Sequence, residues 1–155
     1  MILKHPWNFL ALGAGSGLAP VAPGTFGTLA AVPLALLLPP DVIGQVLLIL
    51  LTFFAGVRFC NHCTDALGVH DHGSIVWDEW VGFFIAMLAV PRTFTTVVLA
   101  FALFRFFDVI KPWPIGVIDK NVDGGFGIMI DDVVAGIMAC TVLHAALNLG
   151  LLPWV

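Results

Sequence analysis

RFFDVIKPWPIGVIDKNVDGGFGIMIDD, residues Arg105–Asp132, decides how the whole chain is read. The chain carries 16 Asp, Glu, Lys and Arg residues, and eight of them fall in this one stretch. Uncharged apolar runs flank it, Thr93–Phe104 before and Val133–Val155 after. Charge beside such runs is costly to desolvate. Carboxylates gathered at their edge therefore point to ion binding or chemistry rather than to solubility.

The surrounding composition sets the class. Hydrophobic residues make up 60% of the 155 residues and charged ones 10%, and the mean hydropathy is +1.05, values of an integral membrane protein. No Asp, Glu, Lys or Arg lies between Lys4 and Asp41. Residues 1–155 make one domain. A cleaved signal peptide is not expected, because Gly13, Gly15, Gly17, Pro20 and Pro23 break the first apolar stretch. A net charge of −4 offers no basic face to nucleic acid, and three cysteines make no disulfide framework.

Apolar runs and breakers predict an all-α membrane bundle of short helices. Lys4–Leu18 reads as a helix lying in the interface, and Ala19–Gly27 as a Pro/Gly loop. Thr28 caps a short helix to about Leu38. Val42–Cys60 is long enough to cross a ~30 Å hydrocarbon core, and Asn61–Gly73 is a polar loop. Ser74 caps a helix to Val90, Thr93–Ile110 is the next, Lys111–Gly127 is an irregular loop, and Ile128–Leu149 is the last helix. Two successive hairpins then bring the three unusual loops to one membrane face. Arg58, Arg105, Lys111 and Lys120 lie on that side against Arg92 on the other, which makes it cytoplasmic.

Ile75–Glu79 (IVWDE) and Met129–Asp132 (MIDD) each place two adjacent carboxylates in the first turn of an apolar helix, followed by Gly82 or Gly136. Compensation of the helix dipole explains one acid per helix, not two doubled pairs. Asp108 adds a fifth carboxylate near a helix end, where the dipole disfavours it. Hard oxygen ligands of this kind suit Mg²⁺ or Mn²⁺. Lys111 is a cation for a substrate anion, or an interfacial snorkelling lysine. Pro23–Thr28 (PGTFGT) opens a helix and offers backbone N–H groups to a phosphate, or is an ordinary helix entry. His70 and His72 position carboxylates or phosphate, or belong to a polar loop. Cys60 and Cys63 with His70 and His72 allow a structural zinc reading, against which stands the ordinariness of a small thiol on an apolar helix. The five tryptophans read as an interfacial belt.

Absences narrow the chemistry. No Cys has an Arg six residues on, and no Asp-x-Asp, His-Glu-x-x-His, Gly-x-Ser-x-Gly or Gly-x-x-x-x-Gly-Lys-Ser/Thr occurs.

Four runs in register carry a family likeness: Gly24–Leu29 (GTFGTL), His70–Glu79 (HDHGSIVWDE), Phe107–Ile115 (FDVIKPWPI) and Gly125–Asp132 (GFGIMIDD). Together they resemble phosphatidylglycerophosphatase A. The likeness runs from about Trp7 to Gly136. It implies a mostly helical, Mg²⁺-dependent phosphatase of the bacterial inner membrane that converts phosphatidylglycerophosphate to phosphatidylglycerol. On this reading Asp78, Glu79, Asp108, Asp131 and Asp132 hold one or two Mg²⁺ ions. Lys111 with Gly24, Thr25, Gly27 and Thr28 holds the phosphate, and His70 or His72 protonates the leaving alkoxide. The alternative is a small divalent-cation transporter or channel, whose carboxylates would line an ion path.

Overall fold

The computed structural model describes residues 5–68 and 72–154. Among these residues there are helices and turns and no strand: α1 (Pro6–Ala11), a 3-10 segment (Gly13–Leu18), α2 (Pro23–Leu36), α3 (Val42–Leu67), α4 (Trp77–Ala86), α5 (Phe94–Ile110), α6 (Ile115–Asn121) and α7 (Gly124–Asn148). The expected all-α class is what the chain adopts.

Local chemistry sets the ends. Asp41 caps α3, its Oδ1 accepting from Gly44 N–H at 2.7 Å, and Gly68 closes that helix at φ 67°. Thr93 and Thr96 cap α5 reciprocally, each hydroxyl accepting the other's N–H. Lys111 then takes a left-handed turn before Pro112. Pro23 starts α2 at its first position, where the missing N–H costs nothing.

Five expectations change. The single helix expected over Lys4–Leu18 is α1 followed by the 3-10 segment, which is kinked at Ala14 and Gly15. α2 begins at Pro23 rather than at Thr28, which lies inside the helix. α3 continues through Cys60 to Leu67 instead of giving way to a loop at Asn61. Residues 115–121 of the expected loop are helical, and α7 begins at Gly124. The helix expected over Ser74–Val90 is the ten-residue α4, about 15 Å long, too short to cross a bilayer. Instead α4 is the core of the bundle: eight of its ten residues are buried, and α2, α3, α5 and α7 pack around it.

α3 and α7 are long and apolar enough to span a membrane. α3 exposes Leu47, Leu51 and Phe54 at 62%, 67% and 68%, an apolar outer surface that suits lipid rather than water. Trp77 is no belt residue, since its Nε1–H donates to Thr52 O at 3.0 Å and pins α4 to α3. Trp80, half-buried, packs 5.2 Å from it.

Two close approaches hold the acid-bearing helices in place. α4 and α7 cross where their glycines meet: a Cβ on Gly136 would fall inside contact distance of Gly82 O, and one on Gly82 would lie 2.8 Å from Asp132 O. At the other end the 3-10 segment braces the entry to α4. Val76 N–H donates to Ala11 O at 2.9 Å, and a Cβ on Gly17 would overlap Ser74 O.

Candidate active site

Asp78 and Glu79 stand in the first turn of α4. Asp131 and Asp132 stand two turns inside α7, not at its start, because α7 opens at Gly124. The Gly82–Gly136 crossing brings the two pairs together. A cavity of about 260 Å³ is lined by all four, by Asp108, Arg105 and Lys111, and by Pro23, Gly24 and Gly73 at its rim. All five predicted carboxylates thus reach one place, from α4, α5 and α7. The four paired acids are buried, with 3–8% exposed.

Two cations keep this charge in check. Arg105 Nη1 donates to Glu79 Oε2 at 2.5 Å and also to Asp108 Oδ2. Glu79 Oε2 lies 2.8 Å from Thr28 Oγ1, which is 2.9 Å from Gly24 O as well. Lys111 Nζ donates to Asp131 Oδ2 at 2.9 Å and to Asp119 Oδ1 at 2.5 Å. Burial works against the Lys111 ammonium, but its bonds to Asp119 and Asp131 outweigh that and raise its pKa above the ordinary 10.5. Gly24 is required by packing: a Cβ there would collide with Glu79 Oε1 and lie 3.1 Å from both Arg105 Nη atoms.

Among the described residues no three His, Cys, Asp or Glu side chains form a ready metal-binding group. Glu79, Asp108 and Asp131 are instead turned to Arg105 and Lys111. The donor set nevertheless fits a hard divalent ion. Asp132 Oδ2 is buried with no hydrogen-bond partner, an acceptor whose desolvation a cation would compensate.

The chain matches the phosphatidylglycerophosphatase A family over residues 9–147. It belongs to this family. The phosphatidylglycerophosphatase A of Escherichia coli (strain K12) is 46% identical over 146 residues, covering 92% of this chain and 84% of that protein. That of Haemophilus influenzae is 49% identical over 146 residues, 92% of this chain and 90% of its own. A putative phosphatidylinositol-3-phosphatase of Bacteroides thetaiotaomicron is 39% identical over 157 residues, 93% of this chain and 97% of its own. No solved structure matches. The phosphatidylglycerophosphatase A family is one of enzymes, and the acid-lined cavity is its candidate active site here.

The remaining predicted residues that the structure describes fall outside the cavity wall. Thr25 and Phe26 N–H both bond to Ala22 O, so these amides are not open to a phosphate. Gly27 packs against Val76, where a Cβ would lie 2.6 Å from Val76 Cβ. Thr28 serves Glu79 rather than an anion. His72 sits beside Gly73, its Nδ1 accepting from Ser74 N–H at 3.2 Å, which leaves its proton on Nε2. His70 lies outside the described residues. Cys60 and Cys63 are buried inside α3, with Cys60 Sγ 3.9 Å from Met129 Sδ, a packing role. Arg105 is the site residue that sequence reasoning missed. Its only sign was a lone Arg on an apolar helix, three residues before Asp108.

Proposed function

We propose that this protein hydrolyses the terminal phosphate monoester of phosphatidylglycerophosphate, releasing phosphate and phosphatidylglycerol, at the cytoplasmic face of a bacterial inner membrane that it crosses several times. The observation that carries the reading is the meeting of five carboxylates and two cations in one small cavity, in a chain of this family. Asp78, Glu79, Asp131 and Asp132, with Asp108, would hold one or two Mg²⁺ ions. When bound, such an ion polarises phosphoryl oxygens and lowers the pKa of water.

The chain's own residues do the rest. Arg105 and Lys111 neutralise phosphate oxygens, since both already face carboxylate oxygens at hydrogen-bond distance. Gly24, with no Cβ, lets the Glu79–Arg105 pair close against the start of α2 and so fixes where the phosphate meets Arg105. His72, beside the cavity-lining Gly73, supplies the proton to the departing glycerol oxygen as the imidazolium, its ring turned from Ser74 N–H to carry the second proton, and is left as neutral imidazole. The transporter reading is less well supported, because the α4–α7 backbones touch at Gly82 and Gly136 beside the acids, where an ion path would have to continue.

The test is phosphate release in detergent micelles from phosphatidylglycerophosphate, phosphatidate and a phosphatidylinositol phosphate, with and without Mg²⁺. Asp78→Asn and Asp131→Asn are expected to lose Mg²⁺-stimulated release by about 10³-fold or more. Near-wild-type release from either variant refutes the assignment.

A further inference from the structure

A second cavity, of about 400 Å³, runs between α2 and α5 and is almost wholly apolar. Leu29, Val32 and Leu36 line it from α2, and Phe94, Val98 and Phe101 from α5. Leu29, Leu36, Phe94 and Val98 are exposed, so the protein itself does not fill it. Arg92 closes the far end, its guanidinium donating to Leu36 O and Pro39 O.

The register of the lining matters most. On α2, Thr25, Leu29, Val32 and Leu36 follow at steps of four, three and four, one face of a helix. On α5, Phe94, Val98, Phe101 and Arg105 follow at four, three and four as well. The α5 stripe therefore ends on the arginine that clamps Glu79 and Asp108. The α2 stripe begins one residue after Gly24, whose Cβ position is 3.1 Å from both Arg105 Nη atoms. Groove and active-site cavity occupy one seam, apolar below and charged above. From Phe94 to Arg105 the seam runs about 16 Å at ~1.5 Å per residue. That is close to half of a ~30 Å hydrocarbon core, the depth one acyl chain covers beneath its own headgroup.

We infer that this groove seats one fatty acyl chain of the phospholipid whose phosphate is held beside Arg105. The inference rests on the lipid-phosphatase reading above and adds where the tail goes. A tail held along α2 and α5 fixes the approach of the phosphate, so filling the groove penalises the whole lipid and not its headgroup.

Val98→Trp and Leu29→Trp fill the groove, and Leu51→Trp on the outer surface of α3 is the control. The readout is the ratio of kcat/KM for the diacyl lipid to that for its deacylated, water-soluble headgroup. Both groove variants are expected to lower the ratio about tenfold, and Leu51→Trp to leave it in place. An unmoved ratio in the groove variants, or an equal fall in the control, overturns the inference. On the wild-type protein, a phosphatidylglycerophosphate analogue with a mid-chain diazirine should label residues 94–101, with competition by unlabelled lipid. Labelling confined to α3 overturns the inference. If wild-type protein releases phosphate from neither substrate, the function reading fails, while the labelling still reports on the groove.

Discussion

Gly136→Ala puts the α4–α7 crossing to a quantitative test. The added Cβ would overlap Gly82 O and stand 3.1 Å from both Gly82 C and Ile85 Cβ. The obstacle is backbone and cannot rotate aside. Restoring ordinary contact at ~3.5 Å separates the helices by roughly 1 Å. Asp131 and Asp132 ride on one helix, Asp78 and Glu79 on the other, so the acid pairs move apart by a similar amount. A displacement of that size at a reacting centre costs about 10²-fold in rate, or about 2.7 kcal/mol in the barrier. Overpacking should also cost about 1–3 kcal/mol of stability. The assay is phosphate release from the lipid at saturating substrate, with thermal unfolding in the same detergent. Ile137→Ala, one residue on and half exposed, is the matched control and should keep its rate. A Gly136→Ala protein with kcat within about threefold of wild type would refute the idea that this crossing sets the acid geometry.

Arg105→Leu leaves Glu79 and Asp108 without their shared cation and should destabilise the protein by about 3 kcal/mol, read as a lower unfolding temperature, with loss of lipid hydrolysis. Thr28→Val removes one donor from Glu79 and should lower kcat about tenfold, measured beside a Thr141→Val control on the outer side of α7. For Lys111 the sign is fixed by its raised pKa: the stabilising charge is present below about pH 10 and is lost only as pH rises through the higher folded value. Unfolding temperatures of wild type and Lys111→Met should therefore differ by a constant amount between about pH 6 and 9 and converge only in stronger alkali. A gap that closes near pH 8 would contradict the two carboxylate contacts.

The acids were legible because charge is scarce here, and neither solubility nor the helix dipole accounts for a doubled carboxylate at the edge of an apolar run. The span of α5 was legible too, because Thr93 and Pro112 punctuate it from outside. What misled were the glycines and prolines. Gly124, Gly125 and Gly127 read as breakers, yet they open α7, because Gly125 must sit against Val57 O and Asn61. Pro23 likewise starts a helix that Thr28 was expected to cap, and Thr28 turned its hydroxyl to a partner 51 residues away. Pairings at that separation leave no mark on local pattern. The same holds for Arg105 and Glu79, 26 residues apart. Trp77 and Trp80 were misplaced for a different reason: aromatic residues suit a membrane interface and a helix seam equally well.

The brace between the 3-10 segment and the α4 entry has a practical side. Ala11 O receives Val76 N–H, and Gly17 rests on Ser74 O, so the amino-terminal segment acts as a splint for the peptide that delivers Asp78 and Glu79. A bulky fusion partner joined ahead of Pro6 would pull on that splint and depress turnover without touching any charged group. Purification handles for this protein therefore belong after Leu152.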